Sequence, residues 1–215
     1  MLPFYLFLIP LALSFYEPKR SKNISAKNSM SVLQNKNLRR LLIYSAIIVT
    51  AIDISYYLYQ PYFKLSGLDI VYFGLVFAAF NLIQALSAKY SHLIEKKLGR
   101  NFSLILLFVL TGLCYILMGK IIIVFSFIFA FLFQLVGGFS QVVISDYIHK
   151  ETTSNIRATV LSVRSFLSHI FYALSAPIVG YAVDLYTLPQ ALIIIGIVVI
   201  ISGCVCIYPL LRKTS

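Results

Sequence analysis

Residues 17–40 read EPKRSKNISAKNSMSVLQNKNLRR, the only sizeable stretch of the chain that is not apolar enough to lie in a membrane. This stretch holds seven of the eighteen Lys and Arg residues against a single acid, Glu17. Clusters of Lys and Arg beside apolar segments stay on the cytoplasmic side of a membrane. The stretch therefore predicts a cytoplasmic segment that sets the direction of every helix after it, whether or not the segment has a further role.

The composition predicts an integral membrane protein. Of the 215 residues, 60% are hydrophobic and 12% are charged, whereas a soluble domain averages roughly 45–50% and 25%. The net charge of +11 lies in short loops between apolar runs, which is typical of membrane topology and not of a nucleic-acid-binding face. The long apolar runs lack strand alternation, which excludes an outer-membrane barrel and predicts an all-α fold in the lipid bilayer.

Six membrane-spanning segments are predicted after the basic stretch, each long enough for a hydrocarbon core of roughly 30 Å. They cover residues 41–59, 70–91, 102–119, 121–145, 158–183 and 188–211. With the first loop placed inside, fifteen basic residues lie on the cytoplasmic side, Lys64 and Lys120 lie outside, and Arg164 lies within a helix. This distribution predicts a multi-pass protein of the plasma membrane with a cytoplasmic C-terminus.

Residues 1–16 are apolar or neutral but fall short of the roughly 20 residues that a complete span needs. A signal peptide would carry positive charge before its apolar core, whereas here the positive charge follows it. We expect this stretch to be the end of a spanning helix whose beginning is missing. The predicted organisation is a partial helix at 1–16, a cytoplasmic loop at 17–40 and a six-helix bundle at 41–213.

Asp53 is the first candidate functional residue, because an acid at mid-helix costs roughly 2.5–3.5 kcal/mol on insertion scales and normally faces a cavity or a partner. Thr50, Tyr56 and Gln60 share its helical face. The Asp53 carboxyl could bind a cationic group of a substrate, carry a coupling proton, or only pair with another helix.

Other spans carry polar stripes that could line a water-filled path or hold helices together through amide bonds and close approach. The clearest is Gln134, Gly138, Gln141 and Ser145, spaced as one face of a helix. The remaining candidates for a substrate or proton cavity are Asn81, Gln84 and His169.

A second set of charges is predicted at the cytoplasmic ends of the helices, where opposite charges could latch one side of the protein closed. Its members are Glu95, Arg100, Asp146, Arg157 and Arg164. Ordinary interfacial solvation is the alternative explanation of these charges.

Three stretches together resemble the C-terminal half of a major facilitator superfamily transporter. They are Tyr59-Gln60-Pro61-Tyr62, Glu95-Lys96-Lys97-Leu98-Gly99-Arg100, and Ser145-Asp146-Tyr147 with Arg157-Ala158-Thr159-Val160-Leu161-Ser162. Within the family's loop motif, Lys97, Gly99 and Arg100 are kept, while Lys96 stands at the acid and His92 at the first glycine. A repeat of Ala-Leu-Ser-Ala at residues 85–88 and 173–176, three helices apart, fits a three-plus-three inverted repeat.

The resemblance implies two six-helix bundles around a central cavity, with alternating access driven by an ion gradient, usually of protons. It implies a small-molecule substrate and an N-terminal six-helix half, from the same gene or a split partner, without which this chain would be incomplete. We expect efflux of small apolar or cationic organic compounds. Uptake of a sugar or another metabolite, or a non-transport assembly role in the membrane, remains an alternative.

An enzyme is not expected, because the three His residues lie far apart at positions 92, 149 and 169 without metal-ligand spacing. The three Cys residues, Cys114, Cys204 and Cys206, lie inside apolar runs, which favours packing over a disulfide or zinc site. We therefore predict no cofactor, no metal and no catalytic residue.

Overall fold

The computed structural model describes residues 35–154 and 156–211, and within these ranges it contains helices and no strand. The helices are α1 (Lys36–Leu65), α2 (Phe73–Lys120), α3 (Ile128–Lys150), α4 (Arg157–Leu185) and α5 (Leu188–Leu211), and short 3-10 turns at Ile70–Tyr72 and Val124–Phe127 precede α2 and α3. All five helices are long and apolar enough to cross a membrane. The predicted all-α, multi-pass class is therefore confirmed.

Some predicted segments lie outside the described residues. They are the partial helix at 1–16, most of the basic loop (residues 17–34), and Arg212 and Lys213 at the C-terminus.

Helix α2 has 48 residues, but the chain reverses within it. Gly99 has φ 75° and ψ 166°, which leaves the helical region. The ring of Phe80, before Gly99, lies 5.0 Å from Phe131, and the ring of Tyr115, after it, lies 4.7 Å from Phe133. A straight helix would separate residues 80 and 115 by roughly 50 Å. The reversal therefore makes two antiparallel segments, α2a (residues 73–98) and α2b (residues 100–120), close to two of the predicted spans.

Helix α1 is the most enclosed element, and its hydroxyl groups bond to the backbones of its neighbours. Tyr44 donates to the carbonyl of Leu104 in α2b at 2.5 Å. Thr50 donates to the carbonyl of Ser168 in α4 at 3.1 Å. A hydroxyl in a low-dielectric interior needs such a partner, so these bonds fix how α2b and α4 sit against α1.

Helices α2b and α5 pack closely through glycines. A Cβ at Gly112 would lie 2.8 Å from the carbonyl oxygen of Gly196, and a Cβ at Gly196 would lie 2.6 Å from that of Gly112. One heptad further along each helix, Gly119 and Gly203 are crowded by α5 and α2b respectively. Small residues allow membrane helices to approach until their backbones touch, and here they do so along two turns.

The helix boundaries differ from the predicted spans at two places. Helix α1 begins at Lys36 instead of residue 41, because the Asn35 side-chain oxygen accepts from the backbone N–H of Asn37 at 3.0 Å and of Leu38 at 3.4 Å. Helix α3 begins at Ile128 instead of residue 121. The β-branched run at residues 121–124 forms extended and 3-10 backbone there, and the carbonyl of Ile121 accepts from the Tyr62 hydroxyl at 3.0 Å.

The glycine contact between α2b and α5 can be tested with Gly196→Ala, with Gly180→Ala in α4 as the control because a Cβ there meets nothing within 4 Å. We expect Gly196→Ala to destabilise the protein by about 1–3 kcal/mol, since backbone must move apart. Gly180→Ala should be neutral or slightly stabilising, since Ala is the better helix former. Thermal unfolding of the purified protein measures both, and equal melting temperatures would contradict this packing.

Candidate functional site

A polar cavity of about 370 Å³ lies between α1, α2a, α3 and α4. Helix α1 contributes four lining residues, α2a one, α3 four and α4 five: Val49, Ile52, Asp53, Tyr56; Gln84; Gly137, Ser140, Gln141, Ser145; Leu161, Arg164, Ser165, Ser168 and His169. The bundle is otherwise apolar, so this concentration of carboxyl, amide, hydroxyl, imidazole and guanidinium groups marks the candidate site.

Asp53 of α1 and His169 of α4 both line this cavity. The side chain of His169 is exposed and that of Asp53 half-buried. Within the described ranges the Asp53 carboxyl has no hydrogen bond or ion pair, so it is not locked into a structural contact and remains free to bind a ligand or a proton.

A buried hydrogen-bonded chain lies directly beside the cavity. The Tyr56 hydroxyl donates to Oε1 of Gln134 at 2.5 Å, and Nε2 of Gln134 donates to the Tyr59 hydroxyl at 3.2 Å. The Ser55 hydroxyl lies 2.9 Å from that of Tyr59. Gln134 has no exposed surface, and both ends of its amide are satisfied, so it orients Tyr56 at the cavity wall.

An aromatic cluster closes the bundle beyond Tyr56, on the predicted outer side. Tyr59 is its centre, with ring centroids 5.8 Å from Phe63, 5.1 Å from Phe80 and 6.3 Å from Phe133. Such edge and offset contacts are favourable packing arrangements. The cluster fills the predicted outer half between α1, α2a and α3, so the cavity extends from Asp53 toward the predicted cytoplasmic end.

Arg164 also lines the cavity, and its position near the start of α4 places it at the predicted cytoplasmic end. Its Nε donates to the Ser45 hydroxyl at 2.6 Å and its Nη1 donates to the Ser145 hydroxyl at 2.7 Å. The two serines come from α1 and α3, so Arg164 joins three helices through neutral oxygens. It does not join the other residues of the predicted charge latch.

The other predicted latch residues lie at the helix ends nearest Gly99. Arg100 forms an ion pair with Glu151 at 3.2 Å and lies 5.3 Å from the centre of the Tyr147 ring. Glu95 accepts from the Tyr147 hydroxyl at 2.8 Å. Asp146 pairs instead with Lys150 of its own helix at 2.6 Å. The structure therefore brings Glu95 and Arg100 together around Tyr147.

Three predicted residues lie away from the sites predicted for them: Arg157 of the latch, and Gln60 and Asn81 of the cavity. Arg157 is exposed at the start of α4. Gln60 is exposed one turn beyond Tyr56, and the exposed Asn81 amide donates to the carbonyl of Phe77 in its own helix at 2.8 Å. Neither Gln60 nor Asn81 lines the cavity, whereas Asp53, Tyr56, Gln84, Gln141 and His169 do.

The sequence did not single out Ser45, Tyr59, Ser140 or Ser168 as parts of the site. Ser45 could have been identified from its depth in the membrane, counted in residues from the helix ends. It lies nine residues after the start of α1, Arg164 lies seven after the start of α4, and Ser145 lies five before the end of α3. At about 1.5 Å per residue, all three are at similar depth, so an Arg inside a span could be matched to hydroxyls at its own level.

No protein-family model matches the sequence, and no curated protein matches it. Within the described ranges, no group of three or more His, Cys, Asp and Glu side chains could hold a metal ion.

The buried amide network can be tested by replacing Gln134 with Leu and comparing Gln141→Leu on the same helix. Gln134→Leu leaves the Tyr56 and Tyr59 hydroxyls without their amide partner, so we expect a loss of about 1–3 kcal/mol in stability. Gln141 is exposed to the cavity, so Gln141→Leu should leave stability almost unchanged. Thermal unfolding compares the two, and similar melting temperatures would show that the Gln134 bonds contribute little.

Proposed function

We propose that this chain is one half of a secondary active transporter that moves a small organic compound by alternating access. The observation that carries the proposal is a cavity inside an apolar bundle that is lined by both Asp53 and His169. Ionisable groups within a membrane are costly, and those that persist commonly mark substrate or proton pathways. The resemblance to the C-terminal half of a major facilitator transporter supports the same proposal, including its three-plus-three arrangement of helices.

In this proposal, Asp53 and His169 form the coupling site. A carboxyl and an imidazole are both groups that take up and release protons. Since the Asp53 carboxyl makes no hydrogen bond within the described ranges, a change in its protonation alters the charge of the cavity without first breaking a structural contact. Substrate and proton binding then share one cavity, which couples the two events.

The remaining wall of the cavity comes from a second helical bundle. Helices α2 and α4 pack mainly on α3, α5 and α1 and not on each other, which leaves the cavity open between them. Helix α4 is the least enclosed of these helices, with Phe166 65% and Leu174 66% exposed. The N-terminal six-helix half implied by the resemblance would cover this opening, and rocking of the two halves would expose the cavity to either side of the plasma membrane.

Export is the proposed direction, driven by proton entry, because aromatic side chains such as Tyr56 suit organic compounds with apolar surface. Uptake of a sugar or another metabolite uses the same cavity with the same coupling. A non-transport assembly partner is the competing class, in which the polar groups only hold helices together.

Proton coupling is tested with Asp53→Asn in the full chain together with its partner half, reconstituted into proteoliposomes with an imposed pH gradient. A panel of lipophilic cations, sugars and carboxylates is offered while internal pH is followed. We expect Asp53→Asn to abolish gradient-driven transport but to retain exchange of labelled for unlabelled compound, because the cavity survives and only the titrating group is lost.

Asp184→Asn is the matched control, since Asp184 is exposed near the opposite end of α4 and lies outside the cavity. It should transport like wild type. Wild-type gradient-driven transport in Asp53→Asn would rule out Asp53 as the coupling residue. If no compound crosses with protons in the wild-type protein, the assembly role replaces the transport role.

A further inference from the structure

Arg164 is a cation inside the bundle that has no anion beside it. Its two hydrogen-bond partners are the hydroxyls of Ser45 and Ser145. Within the described residues, the salt bridges at 4.0 Å or less join Arg100 to Glu151 and Lys150 to Asp146, and neither involves Arg164. A charge removed from water is costly unless an opposite charge or a full set of hydrogen bonds compensates it. Arg164 has neither.

The serines hold the guanidinium at the cavity instead of letting it reach the membrane surface. The Ser145 hydroxyl donates to the carbonyl of Gln141 at 2.6 Å, which leaves an oxygen lone pair for Arg164. Ser45 is fully buried and fixes the opposite edge of the guanidinium from α1. An Arg near a helix end ordinarily extends toward water, so two lateral bonds from different helices indicate that its position is built.

The fixed guanidinium keeps part of its bonding capacity unused. Arginine has five N–H donors in one plane, and two of them go to Ser45 and Ser145. The other three have no protein acceptor within the described residues, and Arg164 lines the cavity. The forked N–H donors of a guanidinium match the paired oxygens of a carboxylate or phosphate, whereas its positive charge repels a cation.

We propose that Arg164 binds an oxyanion of the transported compound, a carboxylate or a phosphate, and that Ser45 and Ser145 are positioning residues for it. This inference rests on the proposed transport function and names its substrate class. It replaces the apolar or cationic compounds expected from the sequence with organic anions. The anionic group lies at the Arg164 end of the cavity, and the rest of the compound extends toward Asp53 and His169.

The test is protection of Arg164 from phenylglyoxal, which modifies arginine side chains, in the purified full chain with its partner half. Succinate and inorganic phosphate are the two probes, in chloride at constant ionic strength, and mass spectrometry follows the peptides that contain Arg164 and Arg157. At about ten times the Kd of the better probe, modification of Arg164 should slow roughly tenfold, because only unoccupied sites react. Arg157, exposed at the start of the same helix, should react at an unchanged rate.

The better probe identifies the anion, since stronger protection by succinate indicates a carboxylate and stronger protection by phosphate indicates a phosphate ester. Equal effects of the probes on Arg164 and Arg157, or no effect on either, would overturn the inference. Because this measurement uses the wild-type protein, it does not depend on whether a variant folds.

Variants provide the second measurement. Arg164→Gln should abolish the increase in melting temperature that the better probe produces. Arg157→Gln should keep that increase, and any non-specific effect of salt should be the same in both variants. Arg164→Lys keeps the charge but loses the planar fork, so at least about tenfold weaker binding is expected. Wild-type binding by Arg164→Gln would contradict the inference.

The proposed function can fail separately from this inference. Protection of Arg164 by an anion without proton-driven transport of any compound would leave the anion subsite in place and remove the transport role. Proton-driven transport of a lipophilic cation with no protection of Arg164 would leave the transport role in place and remove the anion subsite.

Discussion

Gly99 has φ 75° and ψ 166° inside an otherwise continuous run of helix between residues 73 and 120. Only glycine adopts this conformation without a steric penalty, and the reversal it permits sets α2a and α2b side by side. Without that reversal, Phe80 and Tyr115 could not reach neighbouring positions on α3, and α2b could not meet the glycines of α5. The reversal also puts Glu95 and Arg100 within reach of Tyr147, so the aromatic cluster, the glycine contact and the charged end of the bundle all depend on one backbone conformation.

Polar groups in the bundle fall into two sets, because little water is available inside a membrane protein to bond to them. Buried groups such as Tyr44, Thr50 and Gln134 have protein partners, because an unsatisfied polar group in hydrocarbon costs several kcal/mol. At the cavity, by contrast, the Asp53 carboxyl has no hydrogen bond within the described residues, and Arg164 bonds only to hydroxyls. The buried, bonded groups stabilise the fold. The cavity groups are where a ligand gains most binding free energy, since the ligand supplies hydrogen-bond partners that the protein lacks.

The spans could be predicted from the sequence because hydropathy and helix length are local properties, and five of the eight predicted cavity residues do line the cavity. Apart from a match in depth such as that of Arg164 with Ser45, contacts between helices could not be predicted. Gln134 and Gln141 lie on one predicted stripe, yet the first is buried against Tyr56 and Tyr59, while the second, two turns further along α3, is exposed at the cavity. The sequence groups Arg164 with Asp146 among the charges at the cytoplasmic helix ends, whereas in the structure Arg164 bonds to Ser45 and Ser145. Periodicity gives the face of a helix, and only packing decides what that face meets.

The two ends of the cavity carry groups of opposite character, and helical rise separates them. Ser45, beside Arg164, lies eight residues before Asp53 on α1, which corresponds to roughly 12 Å along the helix. At an effective dielectric constant near 20, unit charges at about that distance attract by only about 1.4 kcal/mol, which is less than the several kcal/mol that it costs to desolvate each ion. The two ends therefore do not neutralise each other. In the proposed transporter, an oxyanion of the substrate compensates the Arg164 end and a proton compensates the Asp53 end, so each end of the cavity has a ligand of its own.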